Sequence, residues 1–322
     1  MEVYSAIKNK IDEANKILII SHINPDGDTL GSMCALKLFI GDKADMLVQT
    51  RPENDIPEFY KFLPKIDEAK TLRNVQEIYD LVITIDVASV DRMVLSARKI
   101  FQNSKNTINI DHHQTNPNYA KINLIDDKAS SCGEILFKFF ENIGANITPE
   151  MAECLYVSIM TDTGAFRYDN TSSETLEIAS KLTRLGASCA KISDKVYDTK
   201  PKEMVLLQAN ALNSIQFLEN NQVAYTKITN KMMKDFGAKY EHTEGIAEAI
   251  RSIKEVEIAV VLKENDNATT KASMRSKNFD LTKITERFQG GGHAKSAGCT
   301  INLPIDRACE KLIEVIKEEF NS

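Results

Sequence analysis

No apolar run in these 322 residues approaches the roughly 18 needed to cross a membrane. The longest early one, Ile17-Leu18-Ile19-Ile20, is also too short for the core of a signal peptide, so no membrane association and a cytoplasmic location are expected. The six cysteines, at 34, 132, 154, 189, 299 and 309, include no C-x-x-C pair, which removes a zinc ribbon and a dithiol redox centre. Reduced, mostly buried thiols are expected instead. Positive charge is not in excess: 40 Lys and Arg against 46 Asp and Glu leave a net charge of −6. A protein that coats long nucleic acid carries a broad basic face. This balance does not exclude a small anionic substrate held by a few local cations or metals. Internal repeats and low-complexity tracts are missing as well, and charged residues at 27% are ordinary for a folded chain.

What is present is alternation. Val3, Ile7, Ile11 and Ala14 have helical spacing, and Lys16 to Ser21 reads as a strand. A turn at Asn24-Pro25-Asp26-Gly27 precedes a helix carrying Leu30, Cys34 and Leu38. A strand near Met46-Leu47-Val48, a helix before Asp80, a strand from Leu81 to Ile85, a helix around Met93 to Phe101 and a strand from Thr107 to Ile110 follow. Helices are expected near Cys132 to Asn142, Pro149 to Met160 and Ser172 to Leu185. Short β-branched runs alternating with helices predict an α/β fold, a parallel sheet with helices on both faces. From about Ser188 to Asn213 there is no Gly and a single Pro201, which predicts a helical connection. Beyond it the pattern predicts strands near Val223 to Ile228, Val256 to Leu262, Ala268 to Ser276 and Cys299 to Leu303. Helices are expected at Thr243 to Ile253, Leu281 to Phe288 and Ile305 to Phe320. The expected organisation is a first domain over 1–187, a linker over 188–213 and a smaller α/β domain over 214–322, with a cleft between the two.

Histidine is scarce, five in all, and three of them stand beside aspartates just after predicted strands. Ligands of open α/β sheets bind beyond the carboxyl ends of the strands. Four segments qualify: His22-x-x-x-Asp26-x-Asp28, Asp86 after LVITI, Asp111-His112-His113 after TINI, and Asp162 in Thr161-Asp162-Thr163-Gly164. Each alone has an ordinary explanation. Asn-Pro-Asp-Gly is a turn, Asp28 suits a helix cap, and an EF-hand fails because the sixth position from Asn24 is Thr29 rather than Gly. Together they can converge on one sheet edge. Carboxylate and imidazole donors without a nearby thiolate motif suit divalent metals of the Mn or Mg kind. Asp26, Asp28, Asp86 and Asp162 supply the charge that balances two dications, with His22 and His112 as neutral ligands. Ions about 3.5–4 Å apart share a ligand and a water, and attack of that water on phosphorus is the natural use. Manganese is expected ahead of magnesium because imidazole suits the softer ion.

The C-terminal half carries a second signal. Lys271-Ala272-Ser273-Met274-Arg275-Ser276 alternates, which puts Ser273 and Arg275 on one face and packs Ala272 and Met274 behind. Gly290-Gly291-Gly292-His293 then joins a helix to a strand, the reverse of a dinucleotide-binding turn. With Arg275 nearby it suits a phosphate-binding nest of backbone N–H groups and cationic side chains.

HINPDGD, LVITIDVAS, NIDHHQTN and MTDTGAF, in that order, resemble the four signature segments of the DHH phosphoesterase family. SMRS followed by GGGHAKSAG, together with Thr243-Glu244-Gly245, resembles its DHH-associated C-terminal domain. The resemblance implies a first metal on His22, Asp26 and Asp86 and a second on Asp28, Asp86, His112 and Asp162, with Asp86 bridging. It implies that His113 faces the scissile phosphate and that Asp111 supports the cluster. Ser273, Arg275, Ser276, Gly290, Gly291, Gly292 and His293 are the implied substrate contacts. Without extra nucleic-acid-binding modules or membrane segments, the compact two-domain form resembles the nanoRNases. Those remove mononucleotides from very short RNA and dephosphorylate pAp (adenosine 3′,5′-bisphosphate). A stand-alone phosphodiesterase for pApA or cyclic di-AMP is the alternative reading, and a non-catalytic nucleotide sensor a remote one. The expected partners are therefore short RNA, pAp or pApA and two divalent ions, with no long nucleic acid and no membrane; a homodimer is compatible with this form.

Overall fold

A computed structural model describes residues 2–50, 56–75, 78–265 and 268–320. The chain divides into two units, Met1–Thr199 and Lys200–Ser322. The division falls inside the expected helical connection.

The first unit is built on β1 (Ile17–Ile23), β2 (Ala44–Gln49), β3 (Leu81–Ile85), β4 (Thr107–Asp111) and β5 (Ile122–Ile125), in the order β2-β1-β3-β4-β5. Every neighbouring pair is parallel. Its helices are α1 (Glu2–Glu13), α2 (Gly27–Ile40), α3 (Leu95–Asn103), α4 (Cys132–Asn142), α5 (Pro149–Asp162), α6 (Ser173–Arg184) and α7 (Cys189–Ser193). Strands buried on both faces read as continuous apolar runs because each face meets a different core. Ile17 and Ile19 of β1 join Ile7, Met33, Phe139 and Leu155 on one side. Leu18 and Ile20 join Ala97 and Phe101 of α3 on the other. The α-helix expected before Asp80 is replaced, among the described residues, by two single 3-10 turns at Glu58–Tyr60 and Ile66–Glu68. Pro57 and Pro64 withhold N–H donors there, and Lys65 takes a left-handed φ of 68°.

Three helices close around the first unit's sheet edge because two glycines let them. A Cβ on Gly31 of α2 would lie 2.5 Å from the Cys154 carbonyl oxygen of α5. One on Gly133, in the first turn of α4, would lie 2.1 Å from Ser158 Oγ of α5. Real Cβ atoms do not approach so closely, so only glycine permits this spacing.

The second unit contains α8 (Lys202–Asn213), β6 (Gln216–Leu218), β7 (Val223–Ile228), α9 (Asn230–Asp235), α10 (Ile246–Arg251), β8 (Ile258–Glu264), β9 (Thr270–Ser276), α11 (Thr282–Glu286), β10 (Gly291–His293), β11 (Ser296–Ile301) and α12 (Ile305–Phe320). Its sheet runs β10-β11-β9-β8-β7-β6, antiparallel except for the β7–β8 pair. Ile258, Val260 and Leu262 face α12, whereas Ala259 and Val261 face α8 and α10. The expected helix from Thr243 to Ile253 begins only at Ile246, because Gly245 stands before it at φ 81°. No described helix is long and apolar enough to cross a membrane.

Candidate metal centre

Every member of the four acidic segments lies at the carboxyl end of the parallel sheet or on a helix end beside it. β1 carries His22 in its last turn of chain, and Asp26 then caps α2 by accepting from Thr29 N at 3.2 Å. The cap is thus Asp26, not Asp28. Asp28 lies in the first turn of α2 and is buried. Its Oδ2 accepts from Cys132 N at 3.0 Å and its Oδ1 from Gly133 N at 3.3 Å, so the positive end of α4 holds this carboxylate. Ser158 Oγ donates to Asp28 Oδ1 at 2.5 Å and Ser32 Oγ at 3.2 Å.

Asp86 follows β3 and holds a left-handed backbone at φ 58°, a conformation that costs a non-glycine residue about 1–2 kcal/mol. The turn aims its carboxylate inward, where it is buried. Thr29 Oγ1 donates to Asp86 Oδ2 at 2.6 Å. Among the described residues Asp86 Oδ1 accepts no hydrogen bond, with His113 Nδ1 at 3.5 Å and His112 Nε2 at 3.7 Å as its flanking ring nitrogens. A buried carboxylate oxygen left in that state is costly unless a cation compensates it.

Asp86 belongs to one triad of donors and borders a second. Atoms of His22, Asp26 and Asp86 lie within 4.8 Å of one another, and so do atoms of Asp28, His112 and Asp162. Asp86 reaches toward both, with Oδ2 3.5 Å from His22 Nε2 and Oδ1 3.7 Å from His112 Nε2. His112 Nε2 is also 3.7 Å from Asp28 Oδ2 and 3.7 Å from Asp162 Oδ2. The tautomers are set from behind. His22 Nδ1 meets the Ile23 carbonyl at 2.9 Å and His112 Nδ1 the Ala129 carbonyl at 3.3 Å. A carbonyl can only accept, so each Nδ1 carries a proton and each Nε2 is offered as a ligand. Asp162 ends α5, and a left-handed run over Gly164, Ala165 and Phe166 stops the helix just beyond it.

The electrostatics show what such crowding does when only protons are available. Burial pushes the Asp28 carboxyl up to about 7, with the Asp86 charge adding to the effect. Burial likewise raises Asp162 well above the carboxylate range. Burial would also raise Asp86, but the hydrogen bond from His22 and the fields of His113 and His112 hold it below its ordinary value. Burial opposes a charge on His112, yet Asp162, Asp28 and Asp86 outweigh it and lift the imidazole to about 9. Protons thus occupy the place of cations. The orphaned Asp86 oxygen and the oxygen-plus-imidazole donor set fit divalent metal ions of the harder kind.

Asp111 and His113 stand slightly apart. His113 Nδ1 lies 2.7 Å from Asp111 Oδ1, which leaves Nε2 as its outward atom. Asp111 is completely buried. Asn116 donates from Nδ2 to Asp111 Oδ2 at 2.5 Å and to Asn109 Oδ1 at 2.7 Å.

Asn116, Ser158, Thr29 and Asn170, which donates to Asp162 Oδ2 at 3.4 Å, belong to the site without having been singled out from the sequence. The available signal is a lone polar residue in an apolar segment, as Ser158 is in MAECLYVSIM.

In the second unit Ser273 and Arg275 share the half-buried face of β9. Arg275 Nε is already bonded to Glu248 Oε1 at 2.6 Å. Ser276 points the other way, is buried, and donates to the Phe279 carbonyl at 2.5 Å, so it does not join that face. Gly290 packs closely on the β11 backbone, and a Cβ there would lie 2.5 Å from the Gly298 carbonyl oxygen. Gly291, Gly292 and His293 form the exposed edge strand β10, paired with β11, rather than an open loop.

A phosphoesterase-type metal centre on a parallel sheet, followed by a mixed-sheet unit, is the class these features define. The DHH family N-terminal domain matches residues 16–159 and the DHHA1 domain residues 220–322. The chain belongs to the DHH family, with a DHHA1 domain as its C-terminal part. It is 29% identical over 310 residues to the bifunctional oligoribonuclease and PAP phosphatase NrnA of Thermus thermophilus, covering 94% of this chain and 90% of that one. The protein of the same name from Bacillus subtilis is 26% identical over 296 residues, covering 88% and 89%. The crystal structure of an exopolyphosphatase-related protein from Bacteroides fragilis superposes with a TM-score of 0.90 at 26% identity, covering 98% and 96%.

Proposed function

We propose that this protein is a metal-dependent phosphoesterase that hydrolyses very short RNA to mononucleotides and removes a phosphate from pAp. The observation that carries the reading is Asp86, a buried carboxylate with Oδ2 3.5 Å from His22 Nε2 and Oδ1 3.7 Å from His112 Nε2, the latter oxygen accepting no hydrogen bond among the described residues. A carboxylate so placed would be shared if two ions were held. His22, Asp26 and Asp86 would hold one ion and Asp28, Asp86, His112 and Asp162 the other, with manganese preferred. When bound, the pair supplies an acidified water and withdraws negative charge from the phosphate.

The chain's own residues do the rest. Asp111 keeps the Nδ1 proton of His113 and so fixes which nitrogen faces outward. Burial works against a charge on His113, but the Asp111 hydrogen bond and the Asp86 field raise its pKa. In its protonated form Nε2 donates to an oxygen of the reacting phosphate, where negative charge builds. The unit Lys200–Ser322 would grip a neighbouring part of the substrate through Ser273, Arg275 and the segment from Gly290 to His293. The substrate class is supported by the names of the relatives above and by a net charge of −6, which offers no track for a long backbone.

The test is turnover by purified protein with added manganese on pAp, on di- to pentaribonucleotides, on pApA, on cyclic di-AMP and on a 24-residue RNA. Short RNA and pAp should be consumed at least about tenfold faster than the long RNA, and chelation should stop all turnover. Preference for cyclic di-AMP would move the protein to the phosphodiesterase reading, and activity that survives exhaustive chelation would end the metal reading.

A further inference from the structure

Thr84 of β3 and Asn109 of β4 are direct partners in the parallel ladder, and both are completely buried. Val82, on the same face of β3, joins Ala97 and Phe101 of α3 in an apolar core. A polar pair in such a place costs stability unless every group is satisfied. Here a hydrogen-bond chain with a single direction satisfies it. Asn116 Nδ2 donates to Asn109 Oδ1 at 2.7 Å, and Asn109 Nδ2 to Thr84 Oγ1 at 2.9 Å. Thr84 Oγ1 and Tyr119 Oη are 2.9 Å apart, and Tyr119 Oη donates to the Val87 carbonyl at 2.9 Å. A carbonyl can only accept, so the Tyr119 proton points to Val87. The Thr84 hydroxyl then donates to Tyr119 in preference to the Ile108 carbonyl, which is 3.3 Å away. Burial raises the Tyr119 phenol above its ordinary range, so it remains a donor.

The two ends of the chain lie at the metal centre. At one end Asn116 also donates to Asp111 Oδ2 at 2.5 Å, and Asp111 holds His113. At the other, Val87 follows Asp86, whose left-handed turn aims the buried carboxylate. Asn109 Nδ2 and Asn116 Nδ2 each lie 3.4 Å from the same Val87 carbonyl, so three side chains converge on it. The Tyr119 ring has a task of its own, packing edge-on against Phe101 with centroids 5.4 Å apart.

We propose that Tyr119 is a positioning residue of the metal centre, its hydroxyl holding the Val87 carbonyl so that the Asp86 turn stays in register with Asp111 and His113. It acts through Val87 rather than by contact with a ligand. A strained turn keeps its shape only while its surroundings fix it, and the Tyr119 hydroxyl is the shortest of the three contacts on that carbonyl. Without the hydroxyl, Thr84 turns to Ile108 and the carboxylate of Asp86 is free to leave the place an ion requires. The inference rests on the reading of Asp86 as a metal ligand.

Tyr119→Phe keeps the ring on Phe101 and removes one oxygen. Manganese titrated calorimetrically into the metal-free protein should bind this variant about threefold to tenfold more weakly. At saturating manganese kcat on pAp should fall with KM unchanged, because the hydroxyl grips no part of the substrate. Phe101→Leu is the control for packing: it removes the ring partner and leaves every hydroxyl of the chain. It should lower the melting temperature while manganese affinity holds. Unchanged manganese affinity or unchanged kcat in Tyr119→Phe would overturn the proposal. So would an equal weakening of manganese binding in Phe101→Leu, which would make the effect one of packing. Absence of manganese binding by the unaltered protein would instead end the metal reading, and this inference with it.

Discussion

A single residue, Asp86, combines an unfavourable backbone, a buried charge and an oxygen that accepts no hydrogen bond among the described residues. Such strain persists where the surroundings over-determine it and where function uses it. Asp86→Asn tolerates the left-handed φ but removes the charge. It should cost about a hundredfold or more in turnover and deplete bound manganese, measured by elemental analysis of the purified protein. Asn116→Ala touches no metal ligand and frees Asp111, the support of His113. It should leave metal content intact and lower kcat about 10–100-fold. Protons and cations compete for the same oxygens and nitrogens. Asp28 near 7 and His112 near 9 in the metal-free protein must lose their protons before a cation binds. Raised pKa values mean protons held more firmly as pH falls, so manganese affinity should weaken on going from pH 8 to pH 6, by about tenfold for each proton displaced per pH unit below its pKa. A titration at the two pH values reads this directly. The ligands themselves were legible because scarce His and Asp residues fall in four short segments after strand patterns. Their supports were not, since a lone Ser158 in an apolar helix or Asn116 in a polar loop carries no spacing that marks it.

At the level of elements, the site depends on three helices meeting at a distance that side chains would forbid. Gly133→Ala would put a methyl group 2.1 Å from Ser158 Oγ, the atom that donates to Asp28. Overpacking of this kind costs about 1–3 kcal/mol. A lowered denaturant midpoint together with weaker manganese binding should appear in that variant. Four of the five parallel strands were readable because apolar runs buried on both faces leave a continuous trace, whereas β5, a mostly half-buried edge strand of four residues, was not expected. The edge strands β6 and β10, three residues each, leave none. The polar stretch before Asp80 lost its expected helix to Pro57 and Pro64, whose local chemistry outweighs the surrounding spacing.

Across the whole molecule, each unit has its own apolar cores, and all six proposed metal ligands belong to the unit Met1–Thr199. Binding to the native state alone stabilises it by about 2.7 kcal/mol at a hundredfold excess over Kd. Calorimetry with and without manganese should therefore show the added stability in that unit's melting. The wide spread of the ligands along the chain has a further consequence. The first is residue 22 and the last residue 162, with Asp86 and His112 between. During synthesis, a chain leaving the ribosome exposes His22 and Asp28 early but has no complete set until α5 has emerged and packed. No partial product of translation short of Asp162 contains all six proposed ligands, so the proposed metal chemistry is expected only once α5 has been made.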